Sequence, residues 1–120
     1  MTGVDIDPDV FPFLHLHAEI NKVKVATMRK GFNGLRIQHL KDFNVMIGAD
    51  ICFWDKMMDP LKRLIDRALR AGVERVLIAD PGRTPFLELG EYFTEKGKGE
   101  MLDWTVHRPR RIQGHILRIS

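Results

Sequence analysis

The chain has a single cysteine, Cys52, so no internal disulfide can form and a small scaffold stapled by cystines is excluded. No apolar run reaches the length of a membrane span, and the first residues are acidic rather than the basic start of a secretion signal. The expectation is a cytoplasmic protein without a membrane partner. There is no internal repeat and no low-complexity linker. No G-x-G-x-G occurs, which argues against a dinucleotide oxidoreductase that needs such a turn for its pyrophosphate. From Trp104 to Ser120 there is no acid at all.

What is present is the composition of an ordinary globular protein. The 120 residues are 44% hydrophobic and 29% charged, which suits one domain with a modest core and argues against disorder. The net charge is only +3, but its excess is concentrated. Arg108, Arg110, Arg111 and Arg118 share the acid-free C-terminal stretch. Such a patch suits phosphates or an acidic partner, yet a solvated hairpin with a basic face is the simpler reading. Nucleic acid is therefore not the expected partner.

Hydrophobic spacing divides the chain into alternating strands and helices. Gly3 to Ile6 reads as a short strand closed by "DPD", with Asp7 capping a helix that runs to Asn21. "KVKVA" alternates Val23 and Val25 against lysines, a strand signal. Gly31 and Gly34 oppose regular helix, and Leu35, Ile37 and Leu40 suggest a short one after them. "NVMIGAD" is a buried strand ending in Asp50. "DPLKRLIDRALRAG" is a helix with Asp59 as cap, Pro60 at its first position and Gly72 as stop, its stripe being Leu61, Leu64, Ile65, Ala68 and Leu69. "VERVLIAD" is a second buried strand ending in Asp80. A helix begun by Thr84 and Pro85 follows, then two strands, "MLDWTVH" and "GHILRIS", joined by "RPRRIQ". The order predicts an α/β fold with a mainly parallel sheet, covered on both faces, and an antiparallel C-terminal hairpin.

Three strands thus end in carboxylates: Asp5 with Asp7, then Asp50, then Asp80. Ligands of open α/β sheets bind beyond the carboxyl ends of the strands. An ionised acid after an early strand can accept two hydrogen bonds from a ribose diol. For Asp7 a helix cap is the stronger reading; for Asp5 the two are balanced. "ADICFWD" is more specific, since an acid followed by Phe53 and Trp54 in a loop suits an apolar pocket for a ligand with one basic group. The alternative is that both rings pack beneath the following helix. Cys52, an interior thiol at a strand end, reads as packing rather than as a nucleophile.

Asp50-Ile51-Cys52-Phe53 resembles the D-x-x-Y/F motif after the fourth strand of the seven-β-strand lysine methyltransferases. "TGVDIDPDVFPFLHLHAEIN" is similar to the second strand, ribose acid and following helix of class I S-adenosylmethionine-dependent methyltransferases. "VLIADPGR" resembles their fifth strand and its loop, and the closing hairpin their antiparallel sixth and seventh strands. The resemblance covers essentially the whole chain. It implies a Rossmann-like methyltransferase fold whose first strand, with its glycine-rich turn, is absent. Residues 1–120 would then be the C-terminal two-thirds of that fold, a single truncated methyltransferase-like domain.

The resemblance further implies that Asp5 binds the cofactor ribose and Ile6 packs on adenine, with Asp7 beside them and Thr27 the only polar group offered where relatives place an adenine-binding acid. It implies that Asp50 and Phe53 border the methyl-acceptor site and perform catalysis by positioning and desolvation. Trp54 and Arg83 are candidate substrate contacts, and no metal is expected. The implied cofactor is S-adenosyl-L-methionine and the implied acceptor a protein lysine or similar amine. The implied first strand lies between the second and fourth, so without it two apolar edges are left unpaired. Cofactor binding is then expected to be weak or absent unless a homo-oligomer or an N-terminal segment completes the site.

Two rivals remain. A response-regulator receiver domain would also use an early acid pair and a later strand-end Asp, as Asp5, Asp7 and Asp50 are spaced. It would need a lysine before a proline where this chain has Arg108-Pro109. The other rival is a non-catalytic methyltransferase-like module that binds a partner through its basic hairpin.

Overall fold

The computed structural model describes residues 1–120 as two compact units, 1–35 and 36–120, each taken by itself below. In the first, β1 (Thr2–Asp5) leads through a tight turn at Pro8–Val10 into α1 (Phe11–Ile20), and β2 (Ala26–Arg29) returns parallel to β1. Asp7 caps the turn by accepting a hydrogen bond from the Asp9 N–H, and Asn21 ends α1. Leu14 of α1 lies against Gly3, where a Cβ would come within 2.5 Å of Leu14 Cδ2, so β1 and α1 approach closely at a residue without a side chain. The strand expected at Val23 and Val25 begins later, at Ala26. The exit from α1 takes those residues: Lys22 turns left-handed (φ 55°) and the Val23 N–H bonds back to Ala18 O at 3.0 Å. The ladder starts only where Ala26 meets Thr2.

The second unit contains α2 (Ile37–Leu40), β3 (Val45–Ala49), α3 (Met58–Ala71), β4 (Arg75–Asp80), α4 (Thr84–Glu95), β5 (Gly99–Val106) and β6 (Ile112–Ile119). Its sheet has the order β3-β4-β6-β5, with β3 and β4 parallel and β6 antiparallel to both β4 and β5. Pro60 is the third residue of α3 and Asp59 makes no cap, because a turn at Asp55–Met57 starts the helix at Met58. The stop is as expected: Gly72 has φ 101° and its N–H bonds back to Ala68 and Leu69 carbonyls.

The core lies between the helices and one face of this sheet. Leu61, Leu64, Ile65 and Ala68 of α3, Phe86, Leu89 and Phe93 of α4, and Val76, Ile78, Leu117 and Ile119 of the strands are buried. Each large aliphatic among them stabilises the fold by about 1.5–3 kcal/mol relative to exposure. Gly90 of α4 faces Met101 and Leu117, and Lys62 of α3 sits over the Tyr92 ring of α4, so both helices share that face. The expected cover on both faces is therefore not found within this unit. Alternate residues on the opposite face, such as Val45, Ile47, Trp104 and Ile112, are exposed.

The strands form two sheets rather than one, and no strand pairs with the outer edge of β1 or of β3. No helix is long and apolar enough to cross a membrane.

Candidate functional site

The carboxyl ends of β3 and β4 gather the more informative set of side chains. Asp50, just past β3, adopts φ 59°, a left-handed conformation that Asp tolerates better than most residues. Its N–H is fixed by Ala79 O at 3.0 Å. This turn sends the chain away from the sheet and leaves the carboxylate at the rim.

Asp80, the last residue of β4, is buried, and its Oδ2 accepts hydrogen bonds from the N–H groups of Gly82 (3.0 Å) and Arg83 (2.8 Å). That pair of bonds shapes the loop into α4 and aims Arg83 back over the rim. The guanidinium forms an ion pair with Asp50, meets Asp80 Oδ1 at 3.4 Å and lies over the Phe53 ring with its carbon 3.9 Å from the centroid. Asp80 Oδ1 and Arg83 Nη1 are buried and have no other polar partner, so each depends on the other.

Phe53 is 50% exposed and Trp54 62% exposed, so neither ring packs beneath α3. Trp54 takes part in none of the Arg83 contacts; its carbonyl accepts from the Met57 N–H and so opens the turn before α3. Between these rings and β3, Cys52 is fully buried. Burial, reinforced by the nearby Asp80 charge, pushes its thiol up to about 12, which leaves it protonated and not nucleophilic at neutral pH.

The earlier acids belong to the first unit. Asp5 Oδ1 accepts from the Asp7 N–H at 2.9 Å, and its other oxygen makes no hydrogen bond, so it can still accept one from a ligand hydroxyl. Ile6, beside it, is exposed and apolar. Asp7 serves as the cap described above, with its own Oδ1 bound to the Asp9 N–H. Thr27 pairs with Gly3 inside the ladder, two residues short of the strand end. The structure places Arg29 there instead: it is opposite Asp5 in register, and its Nε donates to Ile6 O at 3.1 Å. Nothing in the local sequence singled out Arg29, because its position follows from where β2 starts.

A second omission is His115. It lies opposite Asp80 in the β4–β6 ladder, with Nδ1 2.8 Å from Asp103 Oδ1 and its ring against Gly82. Gly82 has φ 114°, and a Cβ there would lie 3.0 Å from the imidazole. Only the cross-strand register brings His115 and Asp103 together, so their spacing in sequence gave no motif. No group of His, Cys, Asp and Glu is arranged to hold a metal ion.

No protein-family model matches the sequence, and no curated protein is similar to it. Solved structures do match. A human methyltransferase 10 domain containing protein aligns at TM-score 0.67 and 13% identity, over 99% of this chain and 59% of that one. The N-terminal domain of human METTL16 in complex with SAH aligns at 0.61 and 13%, over 99% and 51%. An rRNA methylase from Streptococcus thermophilus aligns at 0.60 and 9%, over 99% and 72%. The chain spans less than two thirds of the first two. At these identities the likeness is one of fold: a mixed α/β Rossmann-like arrangement shared with methyltransferases, with a parallel sheet and an antiparallel hairpin. The receiver domain is set aside, since its parallel order has no place for β6 running antiparallel between β4 and β5.

Proposed function

We propose that residues 1–120 act as one domain of an S-adenosylmethionine-dependent methyltransferase that transfers a methyl group to an amine nitrogen. The observation that carries this reading is the convergence of Asp50, Phe53 and Arg83 at the strand-end rim of a fold shared with methyltransferases. Bound S-adenosylmethionine would supply an electrophilic methyl group. Asp5 has an uncommitted carboxylate oxygen suited to a ribose hydroxyl, and exposed Ile6 offers an apolar surface for a base. Asp7, which caps the turn, and Thr27, in the ladder, belong to the same proposed cofactor side.

At the acceptor side, Asp50 orients an N–H of the incoming amine and Phe53 supplies an apolar wall that excludes water. The amine must be neutral to attack, so the site works by positioning and desolvation rather than through a covalent intermediate. Arg83, paired with Asp50 and lying over the Phe53 ring, flanks the acceptor on the same rim. Trp54, exposed at the same loop, flanks the acceptor. A protein lysine is the acceptor that the D-x-x-F resemblance implies. A planar exocyclic amine of a nucleobase is the second reading, favoured by the planar guanidinium that the Phe53 face already carries, and one structural neighbour is an rRNA methylase. Cytoplasmic location belongs to the same proposal, as does completion of the unpaired β1 and β3 edges by a second copy or an N-terminal segment.

The test is incorporation of labelled methyl from S-adenosylmethionine into a lysine-rich peptide and into an RNA oligonucleotide, with and without Asp50→Ala. The reading expects incorporation into one of them that falls at least tenfold in the variant. Incorporation indifferent to Asp50→Ala, or none from a chain shown to bind S-adenosylhomocysteine, would contradict it.

A further inference from the structure

The β5–β6 ribbon outruns its sheet. β4 pairs with β6 only as far as Asp80 opposite His115, whereas β5 and β6 continue through Trp104–Gly114, Thr105–Gln113 and Val106–Ile112. Since β4 reaches its carboxyl end at Asp80, the ribbon passes the Asp50–Arg83 rim by three residue pairs, about 10 Å at the rise of a strand. Every residue from Val106 to Gln113 is exposed.

The arm has two chemical features. Its tip carries His107, Arg108, Arg110 and Arg111 with no acid nearby in sequence. The acid at its base, Asp103, is already engaged by His115, and Glu100, further back in the sheet, by Arg118. One face of the arm also presents the Trp104 indole, 59% exposed, and the residue opposite it is Gly114, which leaves the ring without a cross-strand side chain to cover it. Val106 and Ile112 continue that face and are exposed too. A merely solvated turn accounts for the arginines but not for an uncovered indole on the same arm, two strand pairs back from them.

We infer that this arm is a docking site for single-stranded nucleic acid, with phosphates on Arg108, Arg110 and Arg111 and a base stacked on Trp104. The charge of the tip selects a polyanion, and the open indole selects one with planar rings, which an acidic polypeptide lacks. The arm projects from the same end of the sheet at which Asp50 and Phe53 lie. In that sense the inference rests on the methyl-transfer reading and names the partner of that site; binding by the arm does not depend on it.

The test is fluorescence anisotropy of a labelled oligoadenylate RNA titrated with the full chain across a salt series. Three phosphate contacts predict a slope of log K against log salt of about −2 for a single strand. The triple variant R108A/R110A/R111A should lose that slope and bind at least about tenfold more weakly at low salt. Trp104→Ala should weaken binding about fivefold or more with the slope unchanged. Circular dichroism checks that both variants fold; the changed residues are exposed, so they should. No RNA binding at low salt, binding untouched by either variant, or displacement by polyglutamate as effective as by unlabelled RNA would overturn the inference, the last in favour of an acidic protein partner. RNA binding by a chain that binds S-adenosylhomocysteine yet transfers no methyl group would uphold the arm and refute the methyl-transfer reading. The reverse pattern would do the opposite.

Discussion

At the scale of single residues, the rim is built on two backbone conformations and one buried carboxylate. Gly82 is required both for its φ of 114° and for the space that His115 fills. Gly82→Ala should cost about 1–3 kcal/mol, read as a lowered urea midpoint with the slope unchanged. Arg83→Ala would strand the buried Asp80 Oδ1, and because the guanidinium is partly exposed the cost should be smaller than for a fully buried pair, about 2 kcal/mol. Cys52 makes a sharper case. A folded-state value near 12 against an ordinary 9.0 means that the folded chain favours the protonated thiol. Its contribution to stability is therefore complete below about pH 9 and is lost as pH rises towards 12. Iodoacetamide at pH 8.5 should leave Cys52 unmodified in the folded chain and alkylate it readily in urea. Rapid labelling without denaturant would mean that the thiol is not buried as described.

At the scale of elements, periodicity gave the order of helices and strands, with β2 displaced so that it shares only Ala26 with the expected segment and the other errors at element ends. The stripe of α3 was legible because Leu61, Leu64, Ile65 and Ala68 repeat at the helical period and all four are buried. Its start was not, since the turn at Asp55–Met57 satisfies the first N–H groups without the cap expected of Asp59. The strand at Val23 was displaced by the exit turn of α1, a long-range consequence of where β1 pairs. The same limit applies to the site. Asp50 and Phe53 could be picked out because they are neighbours in one loop, and Arg83 because it follows a strand-end acid. Arg29 and the Asp103–His115 pair are set by register across strands, which no local pattern encodes. Leu64→Ala, in the stripe that was legible, should destabilise the chain by about 2–5 kcal/mol in equilibrium denaturation.

At the scale of the whole chain, two sheets each present an edge strand with unpaired backbone groups, β1 in one and β3 in the other. Ile47 on β3 is 71% exposed, and an apolar open edge of this kind invites pairing with another chain. Ile47→Lys should leave thermal stability within about 0.5 kcal/mol of wild type while reducing any concentration-dependent association seen by analytical ultracentrifugation. The central claim concerns what the strand ends bind, and the acid that carries the cofactor side is Asp5. The most direct measurement is titration of the purified chain with S-adenosylhomocysteine by NMR, with its mass in solution recorded alongside. The account predicts weak binding, with shifts at Ile6 and its neighbours that disappear in Asp5→Ala. Binding that survives Asp5→Ala, or shifts that leave Ile6 and its neighbours untouched, would contradict it.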